Sequence, residues 1–97
     1  MRMMMTFKLP VDKGNQAFKD GSLAKVVESL MSKLKPEAAY FAPMGGKRAG
    51  IIFFDMADPS GLVVSGEPLF HHLNAEVEIV PVMTADDLRK GFEKTEL

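Results

Sequence analysis

The side chains able to do acid–base or ligand chemistry in this 97-residue chain are few and scattered. Histidine occurs only as the adjacent pair His71 and His72. Neighbouring residues on a helix point about 100° apart, so the pair cannot close on one metal ion as histidines at i and i+4 do. Glu67 precedes His71 by four residues and shares its helical face. A carboxylate there can orient an imidazole or raise its pKa, as a general base requires. The plainer reading makes one histidine a boundary residue and the other a solvated one, and Pro68 disturbs the spacing between Glu67 and His71. Tyr40 stands in a run of small and apolar residues. Its hydroxyl either lines a pocket between sheet and helices or reaches water while the ring fills core. Tyr40, Glu67 and His71 are therefore the candidate ligand-binding residues, and no catalytic residue is assigned. Asp55 reads as a strand-end cap or ion-pair partner.

The remaining polar clusters point to structure. Gly45-Gly46-Lys47-Arg48 lacks the preceding glycine and the following helix of a phosphate-binding loop, and reads as a hairpin turn with two solvated cations. Asn15 and Asp20 fall in an apparent loop, where turn chemistry accounts for both. The methionines at the start are core and interface filler, because copper sites use spaced thioethers supported by histidine. The absence of cysteine excludes disulfides, thiolate zinc, iron–sulfur clusters and thiol catalysis. No metal or other cofactor is implied. Twelve basic and thirteen acidic residues give no electrostatic reason to bind nucleic acid or an anionic membrane. No apolar run approaches the roughly 20 residues of a membrane span, and Met3 to Met5 is too short for a signal-peptide core. The expectation is a cytoplasmic protein.

The elements that must position these residues follow from periodicity. Met3, Met5, Phe7 and Leu9 alternate with Met4, Thr6 and Lys8, which predicts a strand over 3–9, ended by Pro10. Residues 11–21 suggest loop, with one helical turn over 16–19. Leu23, Val26, Val27, Leu30, Met31 and Leu34 predict a helix over 22–34 with Ser22 as N-cap and Pro36 beyond its end. Strands over 38–44 and 49–56 flank the Gly45-Gly46 turn. The run Ile51 to Phe54 is apolar on both faces. Asp58 and Pro59 start a helix over 59–73 with a stripe of Leu62, Val63, Gly66, Leu69, Phe70 and Leu73. Pro68 predicts a break or kink at 66–68. Asn74 takes the left-handed cap, a last strand covers 75–82, and Thr84 with Asp87 opens a short final helix.

This order predicts one α+β domain over 1–97. It has a ferredoxin-like βαββαβ arrangement, four antiparallel strands in the order 4-1-3-2 with both main helices on one face, and an added C-terminal helix. A chain this short carries more apolar side chain than one small layer needs, which implies a pocket, a partner, or both. With helices on one side only, the apolar residues on the other side call for a second copy of the chain.

The architecture resembles the dimeric α+β barrel superfamily, ferredoxin-like domains whose sheets pack face to face. Muconolactone isomerases and small cofactor-free monooxygenases belong to it. The segments Lys35-Pro36-Glu37-Ala38-Ala39-Tyr40-Phe41, Glu67-Pro68-Leu69-Phe70 and Pro81-Val82-Met83-Thr84-Ala85-Asp86-Asp87-Leu88 look most like an uncharacterised bacterial group within it. No catalytic motif of the isomerases or monooxygenases matches residue by residue. The resemblance implies a homodimer that binds a small, mostly apolar metabolite; the alternative is a non-catalytic structural or regulatory interaction module.

Overall fold

The computed structural model describes residues 1–97. Its elements are β1 (Arg2–Lys8), α1 (Val11–Asp20), α2 (Ser22–Leu34), β2 (Ala38–Met44), β3 (Lys47–Asp55), α3 (Gly61–Leu73), β4 (Glu76–Pro81) and α4 (Ala85–Lys94). The four strands form one antiparallel sheet in the order β2-β3-β1-β4, so the expected α+β architecture and strand order hold. The arrangement fits the ferredoxin-like type.

Alternation along β1 decides which face is core. Met3, Met5, Phe7 and, just past the strand, Leu9 are buried, whereas Met4, Thr6 and Lys8 are half-exposed. The register sets Met3 beside Phe54 and Met5 beside Ile52, so the buried sets of β1 and β3 share one face. Ala17 of α1, Leu30 of α2 and Leu69 and Leu73 of α3 close over it in a single cluster. Each of the larger side chains, fully buried, stabilises the fold by about 1.5–3 kcal/mol.

Several local expectations are corrected. Residues 11–20 form a whole helix rather than a loop with one turn. Asp12, Gly14 and Asn15 are poor helix formers, but Gly14 and Ala17 are buried, and tertiary packing outweighs propensity. Ser22 is the first helical residue, not the cap. Gly21 holds the cap position at φ 82°, and the Asp20 carboxylate accepts the Ser22 amide at 2.8 Å. Hydrogen bonding by Ser22 holds the Asp20 carboxyl below the usual carboxylate range.

The helix expected to break at 66–68 runs unbroken from Gly61 to Leu73 with Pro68 inside it. Ser65, Gly66, Leu69 and Leu73 bury one narrow stripe and so tie both sides of the proline to the core. The buried Ser65 hydroxyl is satisfied by donating to the Gly61 carbonyl at 2.6 Å. Finally, Leu62, Val63 and Phe70, assigned to the buried stripe, are exposed. Ser65 replaces them, because the face toward the sheet is narrower than the apolar run.

Asp58 and Pro59 stand before α3, whose N-cap is Ser60, whereas the readings at Asn74 and at Thr84–Asp87 hold. Lys35 and Asn74 end their helices in the left-handed region, at φ 46° and 51°. Thr84 and Asp87 form the reciprocal capping box of α4: the Asp87 amide donates to Thr84 Oγ1 at 3.1 Å and the Thr84 amide to Asp87 Oδ2 at 3.0 Å. No helix is long and apolar enough to cross a membrane.

Candidate ligand-binding cavity

The three side chains singled out by type do not converge. Tyr40 pairs with Ile51 in the register, which puts it on the sheet face away from the helices, 64% exposed. Glu67 and His71 are both exposed on α3, on the other side of the sheet, and no hydrogen bond joins them. The His71 and His72 rings touch edge to face, with centroids 4.9 Å apart. His72, not His71, borders a shallow polar depression between α2 and α3, beside Pro68 and Lys33. Asp55 accepts a hydrogen bond from the chain's N-terminal ammonium at 2.8 Å, which is the pairing role expected of it. No three histidine, aspartate or glutamate side chains come together as a metal site would need.

The structure places a cavity elsewhere. It lies between the sheet and the helical pair α1–α2, at the hairpin end of β2 and β3, and has a volume of about 590 Å³. This falls within the usual span of small-molecule sites, about 300–1,000 Å³. Nine of its eleven lining residues are hydrophobic. Phe7 and Leu9 come from the core side of β1 and its continuation. Phe41 comes from β2, Phe18 from α1, and Leu23 and Val27 from α2.

Sequence builds this hollow locally. Gly50 sits in β3 directly beside Phe7 in the register. A Cβ at Gly50 would lie 2.5 Å from the Phe7 ring and 3.1 Å from the Phe41 ring. Its missing side chain therefore lets the two rings meet edge to face over the strand, with centroids 6.4 Å apart. On the far wall, Phe18 is 69% exposed although it borders an apolar space. Its ring and the concave apolar wall beside it form one exposed apolar surface.

Arg48 is the one charged lining residue. Its parity along β3 is that of Gly50, Ile52 and Phe54, so it stands on the helix-covered face, half-buried rather than fully solvated as the turn reading implied. Its Nη1 donates to Asn15 Oδ1 at 2.9 Å, and the guanidinium lies 5.6 Å from the centroid of the Phe18 ring. Sequence reasoning passed over Phe18, Phe41 and Arg48. Phe18 falls in the single helical turn expected over 16–19, with no partner element in view, and Arg48 beside Lys47 reads as a turn cation. The available signal was the two-residue period that aligns Arg48 with the buried half of β3.

The helix-free face carries a second feature. The register lines up Ala38, Phe53, Met4 and Val80 across all four strands, with Tyr40 and Ile51 in the next row. Thr6 and Glu78 complete the Tyr40–Ile51 row, and Lys8, Glu76 and Lys47 lie beyond it toward the hairpin end of the same face. A scan against protein-family models and a search of curated proteins find no match to this chain.

Proposed function

We propose that the protein binds a small, mostly apolar metabolite in the cavity between the sheet and α1–α2, and does so as a homodimer. The observation that carries the reading is the cavity itself: about 590 Å³ in a 97-residue chain, walled by core-forming residues yet open at Phe18 and Phe41. The chain carries more apolar side chain than its own layers bury, and leaving such a wall wet is costly unless something covers it. The reading keeps the ligand where the sequence suggested, between sheet and helices, but moves the contacts from Tyr40, Glu67 and His71 to Phe7, Phe18, Phe41 and Val27. No reaction is assigned, because no acid–base pair or nucleophile borders the space.

Dimerisation is supported by the band Ala38–Phe53–Met4–Val80 with Tyr40 and Ile51, which joins apolar side chains over four strands. Face-to-face pairing of two such bands has the two-fold symmetry of homodimers, and about 800 Å² per subunit makes a standard interface. It is also the pairing implied by the likeness to dimeric α+β barrels.

The test is titration with the neutral fluorophore N-phenyl-1-naphthylamine. Saturable binding at one site per chain is expected, and Val27→Trp, which fills the hollow from α2, should abolish it without lowering the unfolding midpoint. Absence of binding, or binding unchanged by Val27→Trp, would reject the cavity as a ligand site. It would leave the interaction-module reading, which the helix-free apolar band alone supports.

A further inference from the structure

The charge at the mouth of the cavity restricts what enters it. The chain has three arginines. Arg2 is paired with Glu37, and Arg89 with Asp86 and Glu93. Arg48 forms no ion pair; its single side-chain hydrogen bond goes to a neutral amide, that of Asn15. A guanidinium carries five N–H donors in a rigid fork, so most of the donors of Arg48 have no protein acceptor. The guanidinium is half-exposed, and none of the chain's thirteen carboxylates pairs with it, so these donors are left to water or a ligand.

The group is nonetheless held in place, and one helix does the holding. Gly14, Asn15 and Phe18 of α1 all meet Arg48. Gly14 leaves room, since a Cβ there would lie 3.0 Å from Nη1. Asn15 supplies the acceptor and Phe18 the ring beneath the guanidinium. All three partners are uncharged, so they orient the fork without cancelling its charge. That arrangement suits a planar anion, which a guanidinium binds through two parallel N–H···O bonds.

We infer that the cavity takes a monoanionic carboxylate with an aromatic or branched aliphatic body, the carboxylate on Arg48 and the body against Phe7, Phe41 and Val27. The inference rests on the cavity reading and adds the charge of the ligand to it. One cation lines the space, and no second one is placed to balance a phosphate monoester. Arg48 is thus a specificity-determining residue, and α1 is the element that positions it.

The experiment compares two probes of one shape, naphthalene-2-carboxylate and the neutral naphthalene-2-carboxamide, by calorimetry on the intact chain. Wild type should bind the carboxylate about tenfold to a hundredfold more tightly, as charge-assisted hydrogen bonds do. Arg48→Met should bring the two affinities together by weakening the carboxylate alone, and Arg48→Lys should keep part of the preference. Unchanged carboxamide affinity in Arg48→Met shows that the variant is folded and the cavity intact. Equal binding of the two probes by wild type, or a preference that survives Arg48→Met, overturns the assignment of charge while leaving the apolar cavity standing. If neither probe binds wild type, both readings fall.

Discussion

The two faces of the sheet are made by the same strands, often by neighbouring residues, and end in opposite states. On the helix-covered face Met5, Ile52 and Phe54 are completely or almost completely removed from water. One residue away, Met4, Ile51 and Phe53 are only half-buried, and Tyr40 and Val80 are exposed. Side-chain type does not separate the two sets, since each contains methionine, isoleucine and phenylalanine. What separates them is that α1, α2 and α3 all fold back to one side. The crossovers from β1 to β2 and from β3 to β4 join strands that run parallel within the antiparallel sheet, and their right-handedness puts the helices on one side, while α4 buries no residue against the other. These apolar residues lack a cover within the chain, which is what the proposed dimer would supply.

The largest expected effect comes from the covered face. Phe54→Ala should cost about 3–5 kcal/mol, because the removed ring leaves a cavity among Met3, Leu69 and Leu73 that cannot fully collapse. That is a large share of the roughly 5–15 kcal/mol that holds a domain together. A urea midpoint lowered accordingly, with loss of helical circular dichroism near ambient temperature, is the expected observation. A variant as stable as wild type would mean that this face is not the folding core.

Phe53→Asp moves the same perturbation to the other face by one residue. It introduces a charge at the centre of the band formed with Ala38, Met4 and Val80. Wild type should sediment as a dimer at micromolar concentration and Phe53→Asp as a monomer that keeps its helical signal. A monomeric wild type would remove the dimer proposal and leave the band without an assigned role. A Phe53→Asp dimer would move the interface off this face.

The contrast also explains which parts of the molecule could be read from the sequence. The alternation of β1, the stripe of α2 and the Thr84–Asp87 box are written in nearest neighbours, and each appears where periodicity or capping chemistry put it. α1 is not written there. Asp12, Gly14 and Asn15 favour turns, and the helix is instead held by the burial of Gly14 and Ala17, with Arg48, distant in sequence, packed close to Gly14. Pro68 likewise signals a break that the burial of Ser65, Gly66, Leu69 and Leu73 overrides. The cavity was hidden for a related reason. A search by reactive side chain finds His71 and Tyr40, whereas this space is defined by a missing side chain at Gly50 and by the parity of Arg48. The first becomes visible only once β1, β2 and β3 are in register, and the second only through the two-residue period of a strand that begins at Lys47.

The smallest expected effect concerns α4, which belongs to neither face. None of its residues is buried, and Leu88 and Phe92 stand exposed one turn apart. Its ion pairs are internal: Arg89 reaches Asp86 at 2.8 Å and Glu93 at 2.6 Å, and Lys90 reaches Asp86 at 3.2 Å. In the single chain, then, the helix rests on local interactions, of which the capping box is the most specific. The Thr84 amide and hydroxyl, with help from Lys90 and Arg2, hold the Asp87 carboxyl below the usual carboxylate range. A depressed pKa in the folded state means that the charged form stabilises α4 above the ordinary carboxylate pKa, near 3.9. That contribution is lost as pH falls through the lower folded value. α4 should therefore be formed at neutral pH and fray in acid below about pH 4, before the sheet opens. Asp87→Ala should produce the same fraying at pH 7. Fast amide exchange confined to residues 85–94, with an unchanged global unfolding midpoint, is the expected result. If those amides stay protected in Asp87→Ala, α4 is packed against something the single chain does not contain. The exposed pair Leu88 and Phe92 would then mark that contact, extending the uncovered surface beyond the sheet.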